Sequence, residues 1–107
     1  MPKYLISGSY SADGLTGLRD KASESDRRQA ATAAVSAVGG KVECVYFALG
    51  EDDAYLIVDL PDNASAAALA ITASATGLVR TRCTPLLTVE EVDQALGKTV
   101  NYRAPGR

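Results

Sequence analysis

Apolar and polar positions along this chain mark out four strands and three helical stretches. Lys3 to Ser9 reads as a first strand. Ser11 caps a helix beginning near Gly14-Leu15, with Leu15, Leu18 and Ala22 on one face. The polar run Ser23-Glu24-Ser25-Asp26 restarts the helix, and Arg28, Ala31, Ala34, Val35 and Val38 keep its spacing up to the stop at Gly39-Gly40. Val42 to Leu49 and Ala54 to Leu60 read as second and third strands, joined by the turn Gly50 to Asp53 and hence antiparallel. Pro61-Asp62-Asn63 ends the third strand and caps a helix over Ala64 to Ala75, which Gly77 closes. Leu78 to Leu87 is the fourth strand, and Pro85 assigns it to a sheet edge. Thr88-Val89-Glu90-Glu91 is a capping box that starts a last helix over Val89 to Leu96. The order βαββαβ, with right-handed crossovers, gives an α+β fold: a ferredoxin-like plait with antiparallel strand order 4-1-3-2 and an extra C-terminal helix. Residues 1–97 then form one domain and 98–107 a flexible tail.

Alternation assigns side chains to faces. In the third strand Leu56, Val58 and Leu60 share one side, and Tyr55, Ile57 and Asp59 the other. The tripeptides Tyr4-Leu5-Ile6 and Tyr55-Leu56-Ile57 occupy matching places in the two halves. That likeness puts Tyr4, Ile6, Tyr55 and Ile57 together on the face that no helix covers. Fully burying one such side chain is worth about 1.5–3 kcal/mol, so four left in water would forfeit much of a small domain's net stability. The expectation is a homodimer, or a higher oligomer, in which two sheets close face to face around a shared interior.

Composition narrows the partners. The net charge of −2 argues against nucleic acid and anionic membranes, and no apolar run is long enough to span a bilayer. The start Met1-Pro2-Lys3-Tyr4 enters a strand at once, which predicts a cytoplasmic protein. There is no histidine, and Cys44 and Cys83 stand far apart, so no metal site and no cofactor is expected. Both cysteines read as small hydrophobes within strands.

Candidate chemistry lies near the third strand. Asp53 is suited to accept backbone N–H bonds in its turn, or to stand as an acid at the mouth of the interior. Asp59 shares the open face with Tyr55, and a buried carboxylate there needs a partner, which Arg80 or Arg82 can supply from one face of the fourth strand. Such a pair is either a structural ion pair at the dimer seam or a polar cluster orienting a ligand. Tyr4, Tyr10, Tyr46 and Tyr55 can line the interior, as interface packing or as the walls of an aromatic site.

The stretch Gly50-Glu51-Asp52-Asp53, an apolar strand, then Asp59-Leu60-Pro61-Asp62 resembles the hallmark of the GYD-domain family of small bacterial proteins. That hallmark reads Gly-x-Tyr-Asp, an apolar run, and Glu-Ala-Pro-Asp. Gly50, Asp53, Pro61 and Asp62 match; Asp52 stands where the family's tyrosine usually sits, Asp59 replaces its glutamate and Leu60 a small residue. Lys3-Tyr4-Leu5-Ile6, the Gly14-Leu15 helix start and Val79-Arg80-Thr81 extend the likeness from Lys3 to about Val92. The resemblance implies a dimeric α/β barrel, a superfamily that holds cofactor-free and haem-using monooxygenases, decarboxylases and plain ligand-binding or regulatory modules. It carries over no catalytic residue.

Three functions fit. The first is a homo-oligomeric small-molecule-binding or regulatory module, with Tyr4, Tyr46, Tyr55, Asp59 and Arg80 facing the ligand. The second is a cofactor-independent enzyme, an oxygenase, isomerase or decarboxylase, acting on a small aromatic or enol-like substrate in the barrel interior through tyrosines, Asp59 and Arg80. The third is a purely structural assembly unit.

Overall fold

A computed structural model describes residues 1–20 and 24–107, with the backbone alone for 24–26. Its elements are β1 (Lys3–Tyr10), α1 (Ala12–Asp20), α2 (Glu24–Ala37), β2 (Lys41–Phe47), β3 (Ala54–Asp59), α3 (Asn63–Ala75), β4 (Val79–Leu86) and α4 (Val89–Leu96). The four strands form one antiparallel sheet in the order β2-β3-β1-β4, the expected plait read from its other edge. Pro85 sits on the outer strand β4, where a missing N–H removes no ladder bond. Ala22 and Ser23, expected on a helix face and at a helix restart, lie outside the described residues.

Local chemistry sets the boundaries. Ser11 caps α1, its hydroxyl accepting from the Gly14 amide at 3.1 Å. Gly14 must be glycine, because a Cβ there would lie 2.0 Å from the Leu78 carbonyl oxygen. The α2 helix stops at Gly39, whose φ of 82° belongs to the left-handed region. Asp62 caps α3 by accepting from the Ser65 amide at 2.8 Å. Thr88 and Glu91 form the expected reciprocal capping box of α4.

The core lies between the sheet and α2 and α3, where Tyr4, Val35, Val58, Leu60 and Ala66 are buried, with Ile6, Leu56, Leu69 and Cys83 packed against them. Here the face expected for β1 is corrected. Tyr4 pairs with Val58 and Ile6 with Leu56, and directly opposed residues in a sheet project to the same side. Tyr4 and Ile6 therefore face the helices. Tyr4 is only 2% exposed, its hydroxyl donating to Asn63 Oδ1 at 2.6 Å. The helix-free face carries Leu5, Ser7, Ser9, Tyr55, Ile57 and Asp59, and from β4 Arg80, Arg82 and Thr84.

On the covered side, α2 packs on β2 and α3 on β4, with little contact between the helices. Their facing residues are mostly alanines, and a cleft of about 320 Å³ remains between them, floored by Ile6 and Leu56. The α4 helix makes little contact with the rest of the chain. The Cα radius of gyration is 17.0 Å, against about 13 Å for a compact chain of this length.

Candidate functional site

A polar cluster occupies the helix-free face at the end of the sheet nearest the β2–β3 turn. Its centre is Asp52, the last turn residue but one before β3 and only 7% exposed. Three donors converge on its carboxylate. The Ser9 hydroxyl donates to Oδ1 at 2.8 Å, and to Oδ2 come the Tyr55 hydroxyl at 3.3 Å and the Arg82 guanidinium at 2.5 Å. Each donor comes from a different strand, and the register brings them together: Ser7 pairs with Tyr55 on one side and with Arg82 on the other. Ser7 is thus buried at the floor, beneath two long side chains that meet over it at Asp52.

The turn is built to hold that acid. Asp53, the following residue, points to β1 and accepts from the Tyr10 amide at 2.8 Å, while its own amide donates to the Gly8 carbonyl at 2.8 Å. The Ala48 amide donates to the Asp53 carbonyl at 2.8 Å, which closes the turn. Asp53 therefore takes its expected role as an acceptor of backbone N–H, on the neighbouring strand rather than within its own turn.

The electrostatics follow from the donors. The Ser9 hydrogen bond, with further bonds and charge from Arg82 and Tyr55, outweighs desolvation and holds the Asp52 carboxyl below the usual carboxylate range. Tyr55 moves the other way: desolvation first, then the adjacent Asp52 charge, disfavours the phenolate and raises its pKa. At neutral pH the cluster is an ionised aspartate, a neutral phenol and a guanidinium. Arg82 keeps 64% of its side chain exposed, so its remaining N–H groups face outward. Arg80, two residues before it on the same face, is exposed and has no carboxylate partner among the described residues. A shallow depression of about 620 Å³ runs along this end of β1 and β4, edged by Ser9 and Arg80.

The residues expected to form the site are thus divided. Tyr55 and Arg80 lie at or beside the cluster. Tyr46 pairs with Tyr55 on β2 and is mostly exposed. Tyr4 is on the opposite face, within the core. Asp59 is on the open face, as alternation requires, but at the far end of the sheet. It pairs with Lys3, which donates to it at 2.9 Å and also lies 3.5 Å from Glu43. The expected pairing of Asp59 with Arg80 or Arg82 is not formed. Asp59 is level with Lys3 and Arg80 with Ser9, six residues along β1, or about 20 Å. Alternation offers Arg82 only as a partner for Asp59, and it marks neither Ser9 nor Asp52 as a hub. The signal was present in β1: Leu5, Ser7 and Ser9 include two small polar residues, a poor surface for packing helices, whereas Tyr4 and Ile6 are bulky.

Among the described residues no helix is long and apolar enough to cross a membrane. No curated protein and no solved structure matches the chain in sequence or fold comparisons. The GYD domain profile, in contrast, matches residues 4–96, from the first strand to the end of the last helix. The match spans most of the chain and includes the hub of the polar cluster, Asp52, and the chain belongs to the GYD domain family.

Proposed function

We propose that the helix-free face binds a small molecule carrying an acidic group, and that a second copy closes over it, so that the protein works as a homo-oligomeric binding or regulatory module. The observation that carries this reading is the Asp52 cluster. Its carboxylate is saturated by donors and its pKa is lowered, which makes it a weak base at neutral pH. Tyr55 is held as a neutral phenol. These are properties of a scaffold that fixes donor groups in place, not of a pair poised for proton transfer. They favour binding over the acid–base chemistry of a cofactor-independent oxygenase, isomerase or decarboxylase.

Asp52 holds one terminal nitrogen, Nη2, of the Arg82 guanidinium, and the other N–H groups of Arg82, together with Arg80, suit a carboxylate or enolate oxygen. Tyr55 and Tyr46 supply flat walls for an aromatic body. A second sheet would exclude water from Leu5 and Ile57 and strengthen the ligand's ion pair. The apolar share of this face is smaller than the sequence predicts, because Tyr4 and Ile6 are spent on the core. The dimer is therefore expected to rest on polar pairing and bound ligand as much as on burial.

Native mass spectrometry of freshly purified protein tests both parts. The expected result is a dimer that retains a small acidic molecule, and an Arg82→Met protein that has lost it and dimerises more weakly. A monomer of 11.1 kDa at low-micromolar concentration would defeat the shared interior. A retained molecule unaffected by Arg82→Met would defeat the assigned site.

A further inference from the structure

The C-terminal arm is an amphipathic element without a surface to rest on. Leu87, Val89, Leu96, Val100 and Tyr102 are each more than two-thirds exposed, and Val92 is 40% exposed. Val89, Val92 and Leu96 recur at a spacing that places them on one side of α4. An isolated helix of 8 residues does not hold itself together in water, even with a good cap. The capping box and the apolar stripe therefore specify a helix that forms against something.

The same chain contains an unfilled apolar surface of matching kind, the cleft between α2 and α3 lined by Ala31, Ala34, Ala70 and Ala73 over Leu56. Small side chains on both walls leave room for larger ones from outside. Charge does not oppose this pairing. All the charged residues of α4, Glu90, Glu91 and Asp93, are acidic. No residue lining the cleft is charged, α3 carries no charge at all, and the charges nearest on α2, Arg27 and Arg28, are basic and lie toward Tyr46 and Phe47 outside the cleft. The arm cannot readily serve its own cleft. Only Leu87 and Thr88 separate β4 from α4, and that connection leaves the strand beside Lys3, whereas the cleft lies over the other half of the sheet, from Ile6 to Tyr10.

We propose that α4 is an exchange arm: its Val89–Val92–Leu96 stripe docks into the α2–α3 cleft of a second copy of this chain. This joint lies on the helical side of the sheet and does not rest on closure of the helix-free faces.

Hydrogen–deuterium exchange of the full chain, read alongside native mass spectra of the same samples, tests it. In the wild-type protein at micromolar concentration the α4 amides should exchange at least ~10-fold more slowly than free chain. That protection should vanish on dilution to the point where the mass spectrum shows monomer. It should also vanish in Ala34→Glu, an exposed cleft position that helices tolerate, while β1 and β3 amides remain as protected as in wild type. Thr72→Glu, on the other wall, and Leu96→Asp, on the arm, give the same readout without relying on a single variant. Free-chain exchange of α4 in an oligomeric wild type overturns the arm while leaving sheet closure standing. Protection that survives dilution to monomer places α4 on its own body and overturns the exchange. Protection that survives all three substitutions overturns the cleft. A wild-type monomer at every concentration overturns both the arm and sheet closure.

Discussion

Asp52 is a carboxylate almost fully hidden on a face that no helix covers, and it is tolerable there only because three strands each send it a donor. Its depressed pKa ties the cluster to pH. A group whose folded pKa lies below its unfolded value, about 3.9 for aspartate, adds stability that is complete above that value. The contribution is lost as pH falls through the folded pKa. Acid unfolding of the wild type should therefore be steeper below about pH 4 than that of Asp52→Asn, as followed by circular dichroism. Asp62, lowered by the Ser65 amide and hydroxyl, acts in the same sense at the α3 cap and is unchanged in that variant. A second outcome belongs to Tyr55. Its phenol should titrate above the ordinary tyrosine range in the wild type, and Asp52→Asn should bring it part of the way back. The return is partial because desolvation, the larger cause, remains. Ring-resonance shifts in an NMR titration would show it, and an unmoved Tyr55 would mean that the Asp52 contact is not maintained.

At the scale of elements, two glycines decide how closely helix and sheet approach. A Cβ on Gly14 would meet the Leu78 carbonyl at 2.0 Å, and one on Gly40 the Asp59 carbonyl at 2.5 Å. Backbone oxygens cannot rotate away, so Gly14→Ala and Gly40→Ala should each destabilise by about 1–3 kcal/mol in urea titrations. Gly17, exposed in α1 with open space around it, should behave oppositely, with Gly17→Ala stabilising by up to about 1 kcal/mol. Elements are also the scale at which sequence speaks most clearly here. The Thr88–Glu91 box, Asp62 before α3 and the glycines at 39 and 77 each announce a boundary through local chemistry that needs no knowledge of the rest of the fold. Strand phase is different, because it depends on partners far away in the chain. The matching Tyr-Leu-Ile tripeptides suggest that Tyr4 and Tyr55 face one way, but Tyr4 lies opposite Val58, and the register turns the two tyrosines to opposite sides. The same displacement hid the cluster, since Ser9 and Arg82 become neighbours of Tyr55 only when β1 has its true phase. Asp59 shows the reverse case: alternation within one strand gives its face correctly, while its partner, Lys3, depends on pairing with β1.

The molecule as a whole has a thin interior. Tyr4, Leu60 and Val58 are its largest fully buried side chains, so each counts heavily. Leu60→Ala should cost about 2–5 kcal/mol in equilibrium unfolding, enough to leave a small domain near its midpoint. Around this core the surfaces are unequal: a polar cluster on one side, an alanine-walled cleft on the other, and an arm that carries the chain to a length of 56 Å. Small-angle scattering of the monomer reached by dilution should report a radius near 17 Å if the arm stays extended and one of about 13 Å if it folds back on its own chain. The two outer strands, β2 and β4, flank this arrangement, and Pro85 interrupts the free margin of β4. A neighbouring molecule that tried to lengthen the sheet there would find a gap in the row of amides it must pair with. Unlimited extension of the sheet through the β4 edge is thereby discouraged.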